Sequence, residues 1–384
     1  MINCTRLLCG QIGSNDEIRY QKGKPADFNR PIVVWNTTKR CNLNCMHCYI
    51  DATQDKAPDE LTTSQAAAMI DDIAEFGCPV FLFSGGEPFL RADLFQLGKY
   101  AVSRGLRAVI STNGTMITKG VAKKIKDAGF SYVGISLDGM ERTNDNFRRQ
   151  KGAFKKTLEG IRNCKAAGVR VGLRFTINKY NFKDIAAIFD LIKEEGIPRA
   201  CFYHLVYSGR GSSMKEDDLT NQEARRTMDL IFQRSVMLSG NGTEILTVDN
   251  HADGVYLYLS LKKQNPGMAK EALELLRING GNKSGIGIAN VDNLGFVHAD
   301  QFWRHHSFGN VKERRFSDIW SDESDALLKG LRSRLGLLKG KCSRCNFKDI
   351  CAGNFRVRAE AVYKDIWAED PACYLTEEEV TTAR

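Results

Sequence analysis

Seven of the twelve cysteines in this 384-residue chain fall into two groups. Cys41, Cys45 and Cys48 are spaced C-x3-C-x2-C, and Cys342, Cys345, Cys351 and Cys373 are spaced C-x2-C-x5-C-x21-C. In a reducing compartment, grouped thiols are metal ligands more often than disulfides. Three thiolates do not complete a four-coordinate structural zinc site. Iron–sulfur clusters are also held by thiolates, normally four, so three leave one iron open to a substrate or cofactor. The second group offers four thiolates, a complete set for one closed cluster or for one zinc ion. Cys4, Cys9, Cys78, Cys164 and Cys201 are scattered among apolar residues and are expected to be small buried hydrophobes. His47, which lies between Cys45 and Cys48, is expected in a structural role or behind the ligands.

Other chemistry-bearing residues sit in short polar loops. In Ser84-Gly85-Gly86-Glu87-Pro88 the paired glycines let backbone approach a ligand closely, and Glu87 offers a carboxylate to an ammonium group. Ser111-Thr112-Asn113-Gly114 and Ser136-Leu137-Asp138-Gly139 suit ribose and carboxylate contacts, although Asn-Gly and Asp-Gly are also common turn dipeptides. Arg174 could pair with a carboxylate.

These loops need a scaffold, and the hydrophobic pattern supplies one. Runs rich in β-branched and aromatic residues predict strands at Pro31–Asn36, Val80–Phe83, Arg107–Ser111, Tyr132–Ser136, Val169–Thr176 and Cys201–Tyr207. Amphipathic helices are expected at Thr63–Phe76, Ala92–Arg104, Lys119–Ala128, Phe154–Ala167 and Phe182–Glu195, each followed closely by a glycine suited to a helix end. Six β–α units in series imply an α/β fold with a parallel sheet, a partial (βα)6 TIM barrel whose site lies where strands end and loops begin. A long helix is expected at Asn221–Leu238. The expected organisation is an N-terminal extension over 1–30, a barrel over 31–235, a weakly patterned bridging region over 236–283 and a smaller domain over 284–384.

Composition excludes several classes. With 42% apolar and 26% charged residues the chain is ordinary globular material. No apolar run approaches the ~20 residues of a membrane span, and the first residues lack an export signal, so a cytoplasmic protein is expected. The net charge is +9. Arg142–Arg174 carries ten basic and two acidic residues, and Leu331–Lys348 six basic and none acidic. Neither stretch has a recognition-helix or RNA-binding signature, which argues against nucleic acid.

Cys41-Asn-Leu-Asn-Cys45-Met-His-Cys48-Tyr49 resembles the signature of the radical SAM family. The resemblance implies a [4Fe–4S] cluster on Cys41, Cys45 and Cys48 whose open iron chelates S-adenosylmethionine (SAM). It further implies that Tyr49, Gly85, Gly86, Glu87, Thr112, Asn113, Ser136, Asp138 and Arg174 contact SAM. The second cysteine group resembles the SPASM or twitch domain of that family, where four such positions ligate an auxiliary [4Fe–4S] cluster. A full SPASM domain carries another auxiliary cluster. Here Asp300 and Phe355 stand where that cluster needs cysteines, so one auxiliary cluster is expected.

Pro31–Asn36, Asn293–Trp303, Cys351–Glu360, Asp370–Tyr374 and the start Met1–Gly10 are similar to the tetrapyrrole-modifying subgroup of the siroheme-dependent haem and haem d1 pathways. That similarity implies removal of acetate side chains from 12,18-didecarboxysiroheme to give Fe-coproporphyrin III. The alternatives are removal of propionate side chains on the haem d1 branch, or peptide maturation. The implied partners are an anionic iron tetrapyrrole and a low-potential electron donor such as ferredoxin or flavodoxin, with neither nucleic acid nor membrane. Such a substrate wants an apolar slot with a basic rim. Arg148, Arg149, Lys151, Arg356 and Arg358 are expected at the rim, and Phe302, Trp303, Phe355 and Trp367 as walls. His298, Asp300, His305 and His306 are the candidate catalytic residues, a histidine as ligand to the substrate iron and Asp300 in a polar role.

Overall fold

In the computed structural model, residues 1–13, 16–20 and 30–382 are described. Residues 14–15 and 21–29 of the expected N-terminal extension, and 383–384, lie outside them. The strands are β1 (Ile2–Asn3), β2 (Ile32–Asn36), β3 (Val80–Ser84), β4 (Arg107–Thr112), β5 (Tyr132–Ser136), β6 (Val171–Ile177), β7 (Arg199–His204), β8 (Glu244–Val248), β9 (Ile288–Val291), β10 (Phe296–His298) and β11 (Gly309–Asn310). They form one open sheet in the order β1-β8-β7-β6-β5-β4-β3-β2-β9-β10-β11. β2 to β8 are parallel neighbours in chain order, and β9 lies parallel to β2 at the other edge. All six expected strands are present, shifted by at most a few residues at their ends.

Alternation along the strands gives the sheet two unlike faces. Val33, Trp35, Phe81, Phe83, Ile110, Ile135, Phe175 and Phe202 pack with helix residues such as Ile70, Leu97, Ile125, Ile161 and Ile188 into the main core. The opposite face carries Asn36, Ser84, Ser111, Tyr132, Ser136, Arg174, Arg199, Tyr203 and Glu244, in register across the sheet. The helices that cover the first face start and stop where local chemistry directs. Thr62 and Gln65 form a capping box for Thr63–Glu75, and Thr220 and Glu223 form one for Asn221–Ser239. Gly77, Gly105, Gly129, Gly168 and Gly196, expected at helix ends, all have positive φ.

β8 was not expected. It lies in the stretch read as a bridging region, a run of only five residues, Glu-Ile-Leu-Thr-Val, that opens on a carboxylate. That carboxylate is buried, and it accepts from Arg199 Nε at 2.6 Å and Arg19 Nη1 at 2.7 Å. The pairing lets a buried charge begin the strand. No described helix is long and apolar enough to cross a membrane.

Two glycines shape the polar face. A Cβ on Gly172 would lie 2.0 Å from the Tyr132 hydroxyl, and one on Gly134 would lie 2.9 Å from Arg174 Cδ. Gly172→Ala is expected to lower stability by about 1–3 kcal/mol through overpacking, read as a lower urea midpoint. An unchanged midpoint would mean that Tyr132 swings aside freely.

Candidate active site

The three-cysteine loop leaves the C-terminal end of β2 and is fastened on several sides. Thr37 N donates to Ser84 O at 2.9 Å, Gly86 N to Thr38 O at 2.8 Å and Glu87 N to Arg40 O at 2.8 Å. This approach explains the paired glycines. A Cβ on Gly86 would lie 2.1 Å from Arg40 O, and one on Gly85, where φ is +135°, 2.7 Å from Thr38 O. The far side of the loop is tied by Arg210, whose Nε and Nη1 donate to Cys45 O and Ala52 O, both at 2.9 Å.

Cys41 and Cys45 are buried and Cys48 half-buried, packed with Leu43, Ile50 and Ala52. Each sulfur meets an N–H donor. Leu43 N reaches Cys41 Sγ at 3.4 Å, Ala52 N reaches Cys48 Sγ at 3.4 Å and Arg148 Nη1 reaches Cys45 Sγ at 3.7 Å. Burial pushes the Cys41 thiol up to about 12 and the Cys45 thiol upward against the pull of Arg148. Without a metal these groups stay protonated. With donors already aimed at sulfur, the set fits thiolates that a cationic cluster would deprotonate.

The loops after β3, β4 and β5 surround this centre, though their polar groups are already engaged with one another. Glu87 is fully buried and accepts from Thr112 Oγ1 at 2.8 Å and Asn113 N at 2.9 Å. Asn113 Nδ2 donates to Asn42 Oδ1 at 2.9 Å, within the cysteine loop. Tyr49 Oη accepts from Asn36 Nδ2 at 2.9 Å and lies 3.2 Å from Ser84 Oγ. Arg174 donates to Ser111 Oγ and to Tyr203 Oη, and its guanidinium lies over the Tyr203 ring. Asp138 accepts from Thr176 N at 2.7 Å and is paired with Arg148. Ser136 ends β5 beside Arg174 in register. His47 stacks on Phe147 with ring centroids 4.6 Å apart; burial holds it neutral, down to about 4, against the pull of Asp138.

Cys342, Cys345, Cys351 and Cys373 line one cavity together with Lys341, Lys348, Asn354 and Asp370. The positions of Asp300 and Phe355 are filled. Asp300 accepts from Ser284 Oγ and from Phe302 N at 2.8 Å, while Phe355 packs edge-on to Phe302. The three histidines have partners: His298 with His306 O at 2.7 Å, His305 with Glu360 at 2.9 Å and His306 with Asp325 at 3.0 Å.

The expected basic rim is corrected. Arg356 and Arg358 are buried at 1% and 0% exposure, and Arg148 is buried against Cys45. Arg356 donates to the carbonyls of Gly353, Ile366 and Ala368, and Arg358 pairs with Asp370. Only Arg149 and Lys151 of that set are exposed. Trp303 is buried as well, with its Nε1 donating to Glu360 at 2.6 Å, whereas Phe302 lies half-buried and edge-on to Tyr49.

The comparison that decides the family is with the Fe-coproporphyrin III synthase of Methanosarcina barkeri, 56% identical over 99% of each chain. The chain belongs to the radical SAM superfamily. The model of that superfamily matches residues 35–192. A pre-heme d1 synthase of Dinoroseobacter shibae is 42% identical, over 95% of this chain and 90% of its own. Among solved structures, Streptococcus suis SuiB bound to S-adenosylmethionine superposes with a TM-score of 0.70 at 16% identity, covering 90% of this chain and 78% of that one. Radical SAM membership brings a [4Fe–4S] cluster, SAM and the need for an electron donor.

Sequence reasoning missed several polar residues that the fold brings near the strand ends. Arg210 gave no signal because it lies far from the cysteines in sequence. Arg304 has a buried Nη1 without a hydrogen-bond partner among the described residues. Asp249 follows β8 with φ +66°, and burial raises its carboxyl to about 6 against the pull of Arg358.

Burial also pushes Glu87 up from 4.5 to about 7, against the donors Asn113 N and Thr112. The folded chain therefore binds this proton more tightly than the unfolded one. The contribution of Glu87 to stability should be greatest below pH 4.5 and fall as pH rises to about 7, by on the order of 3 kcal/mol. Urea unfolding of metal-free Glu87→Gln should lack that decline; an identical pH dependence in both chains would contradict it.

Proposed function

We propose that the chain removes the acetate side chains of 12,18-didecarboxysiroheme to give Fe-coproporphyrin III. The observation that carries this is the 56% identity, over nearly the whole of both chains, with Fe-coproporphyrin III synthase. When bound, the cluster and SAM supply a 5′-deoxyadenosyl radical for abstraction of a substrate hydrogen. Cys41, Cys45 and Cys48 hold the cluster. Asn113 is tied to the cysteine loop and, with Thr112, to Glu87, so the ends of β3 and β4 are fixed relative to the cluster. The Gly85–Glu87 loop, Tyr49, Ser136 and the Arg174–Ser111–Tyr203 group line the SAM side. Fixing these groups before the reaction is what lets a reactive radical meet one hydrogen.

Cys342, Cys345, Cys351 and Cys373 hold one auxiliary [4Fe–4S] cluster. Asp300 and Phe355, occupied with other partners, support a single auxiliary site. Phe302, half-buried beside Tyr49, forms one wall of the tetrapyrrole slot. A low-potential electron carrier reduces the centre.

The haem d1 branch is the second reading, favoured by the 42% identity with pre-heme d1 synthase. Anaerobic turnover of didecarboxysiroheme with SAM and a strong reductant separates the two. Product masses should correspond to loss of two acetates; loss of propionates would support the second reading. Anaerobic reconstitution should give about eight irons per chain, falling to about four in Cys342→Ser/Cys373→Ser. Four in both chains, or bound zinc, would overturn the two-cluster assignment.

A further inference from the structure

We propose that Arg148 and Asp138 form a charge clamp that sets the reduction potential of the cluster on Cys41, Cys45 and Cys48. The inference rests on the proposed assignment of Cys45 as a cluster ligand. Sequence position suggested other uses, a cofactor contact for Asp138 and a substrate rim for Arg148. The structure joins them. Arg148 is the last residue of the helix Glu141–Arg148, and its Nη2 is paired with Asp138 Oδ2 while its Nη1 reaches Cys45 Sγ at 3.7 Å. Their side chains are 8% and 1% exposed.

Three further contacts hold the helix end against the cysteine loop. Met46 N donates to Phe147 O at 3.0 Å, His47 stacks on Phe147, and His47 Nε2 lies 3.6 Å from the same Asp138 oxygen. Asp138 is fixed in turn by Thr176 N at 2.7 Å. The guanidinium therefore cannot turn away from the sulfur, and the carboxylate stands behind it.

Reduction takes one electron from the donor, which is oxidised by one, and adds one negative charge to the cluster. A guanidinium in contact with a ligand sulfur favours that added charge, as hydrogen bonds and net charge near sulfur do in iron–sulfur sites generally. The carboxylate behind it offsets part of the effect. Burial keeps solvent from screening either group. The two side chains should therefore shift the potential in opposite directions.

The full-length chain, reconstituted anaerobically, is titrated while the EPR signal perturbed by added SAM is followed. Arg148→Gln should lower the midpoint, so that about tenfold less of the cluster is reduced at a fixed potential, ~59 mV for a one-electron couple. Asp138→Asn should raise it, and Arg148→Lys should fall between wild type and Arg148→Gln. Should Arg148→Gln fail to assemble the cluster, Arg148→Lys and Asp138→Asn carry the same signs. Unchanged midpoints, or a shift of both substitutions in one direction, would overturn the clamp. A wild-type chain with no SAM-perturbed signal would instead overturn the ligand assignment beneath it.

Discussion

Arg358 and Asp370 are both fully buried and meet at 2.9 Å within the C-terminal segment, and Arg358, so held, links that segment to the ends of the barrel strands. Arg358 also donates to Leu205 O at 3.1 Å, just past β7, and to Asp249 O at 2.7 Å, just past β8. Asp370 accepts from Phe355 N and Ala372 N, both at 2.9 Å. Burial works against the Asp370 carboxylate, yet Arg358 beside it holds the group below the usual range. A buried pair of this kind does not add much stability over an apolar contact. Losing one partner leaves an uncompensated charge, on the order of 3–5 kcal/mol. The pair thus fixes a relation between two parts of the chain. Asp370 also lines the four-cysteine cavity, and Leu205 and Asp249 follow β7 and β8, so the relation is between that cavity and the strand ends of the barrel.

The cysteine loop depends on the same kind of constraint. Its polar backbone is answered by Arg210, Ser84 O, Thr53 O and the Gly85–Gly86 turn rather than by water. Glu87, Thr112 and Asn113 then connect the ends of β3 and β4. Few of these groups are left over, which is what a site handling a radical requires, because misplaced atoms react. Arg210 Nη2 and Arg304 Nη1 are exceptions, buried without an acceptor among the described residues.

Much of the barrel was legible because its strands and helices obey two simple periods. β1, β8, β9, β10 and β11 were missed, and β8 carries a buried charge whose partners lie at Arg19 and Arg199, distances no local pattern reports. Charge density misled in the same way. Among the described residues, four of the ten basic residues of Arg142–Arg174 stand in ion pairs, including Lys155 on Glu141 at 2.8 Å and Arg162 on Glu195 at 2.6 Å. Lys339 and Arg344 likewise meet Asp365 and Glu377, both at 2.7 Å. Arg356 and Arg358 looked like a rim from their charge, but they are internal braces.

The sequence by itself determined the α/β class, the order of the six units and the two groups of thiols, since each depends on spacing along the chain. It placed the polar loops at strand ends for the same reason. Only the tertiary structure decided what each polar side chain faces. Asp138 and Arg148 lie ten residues apart and could have met a cofactor, a substrate or solvent. The docking of one helix end on the cysteine loop turned them toward Cys45 instead. Partner choice of that kind depends on long-range packing and on the cost of burying an unpaired charge, and neither is written in local spacing.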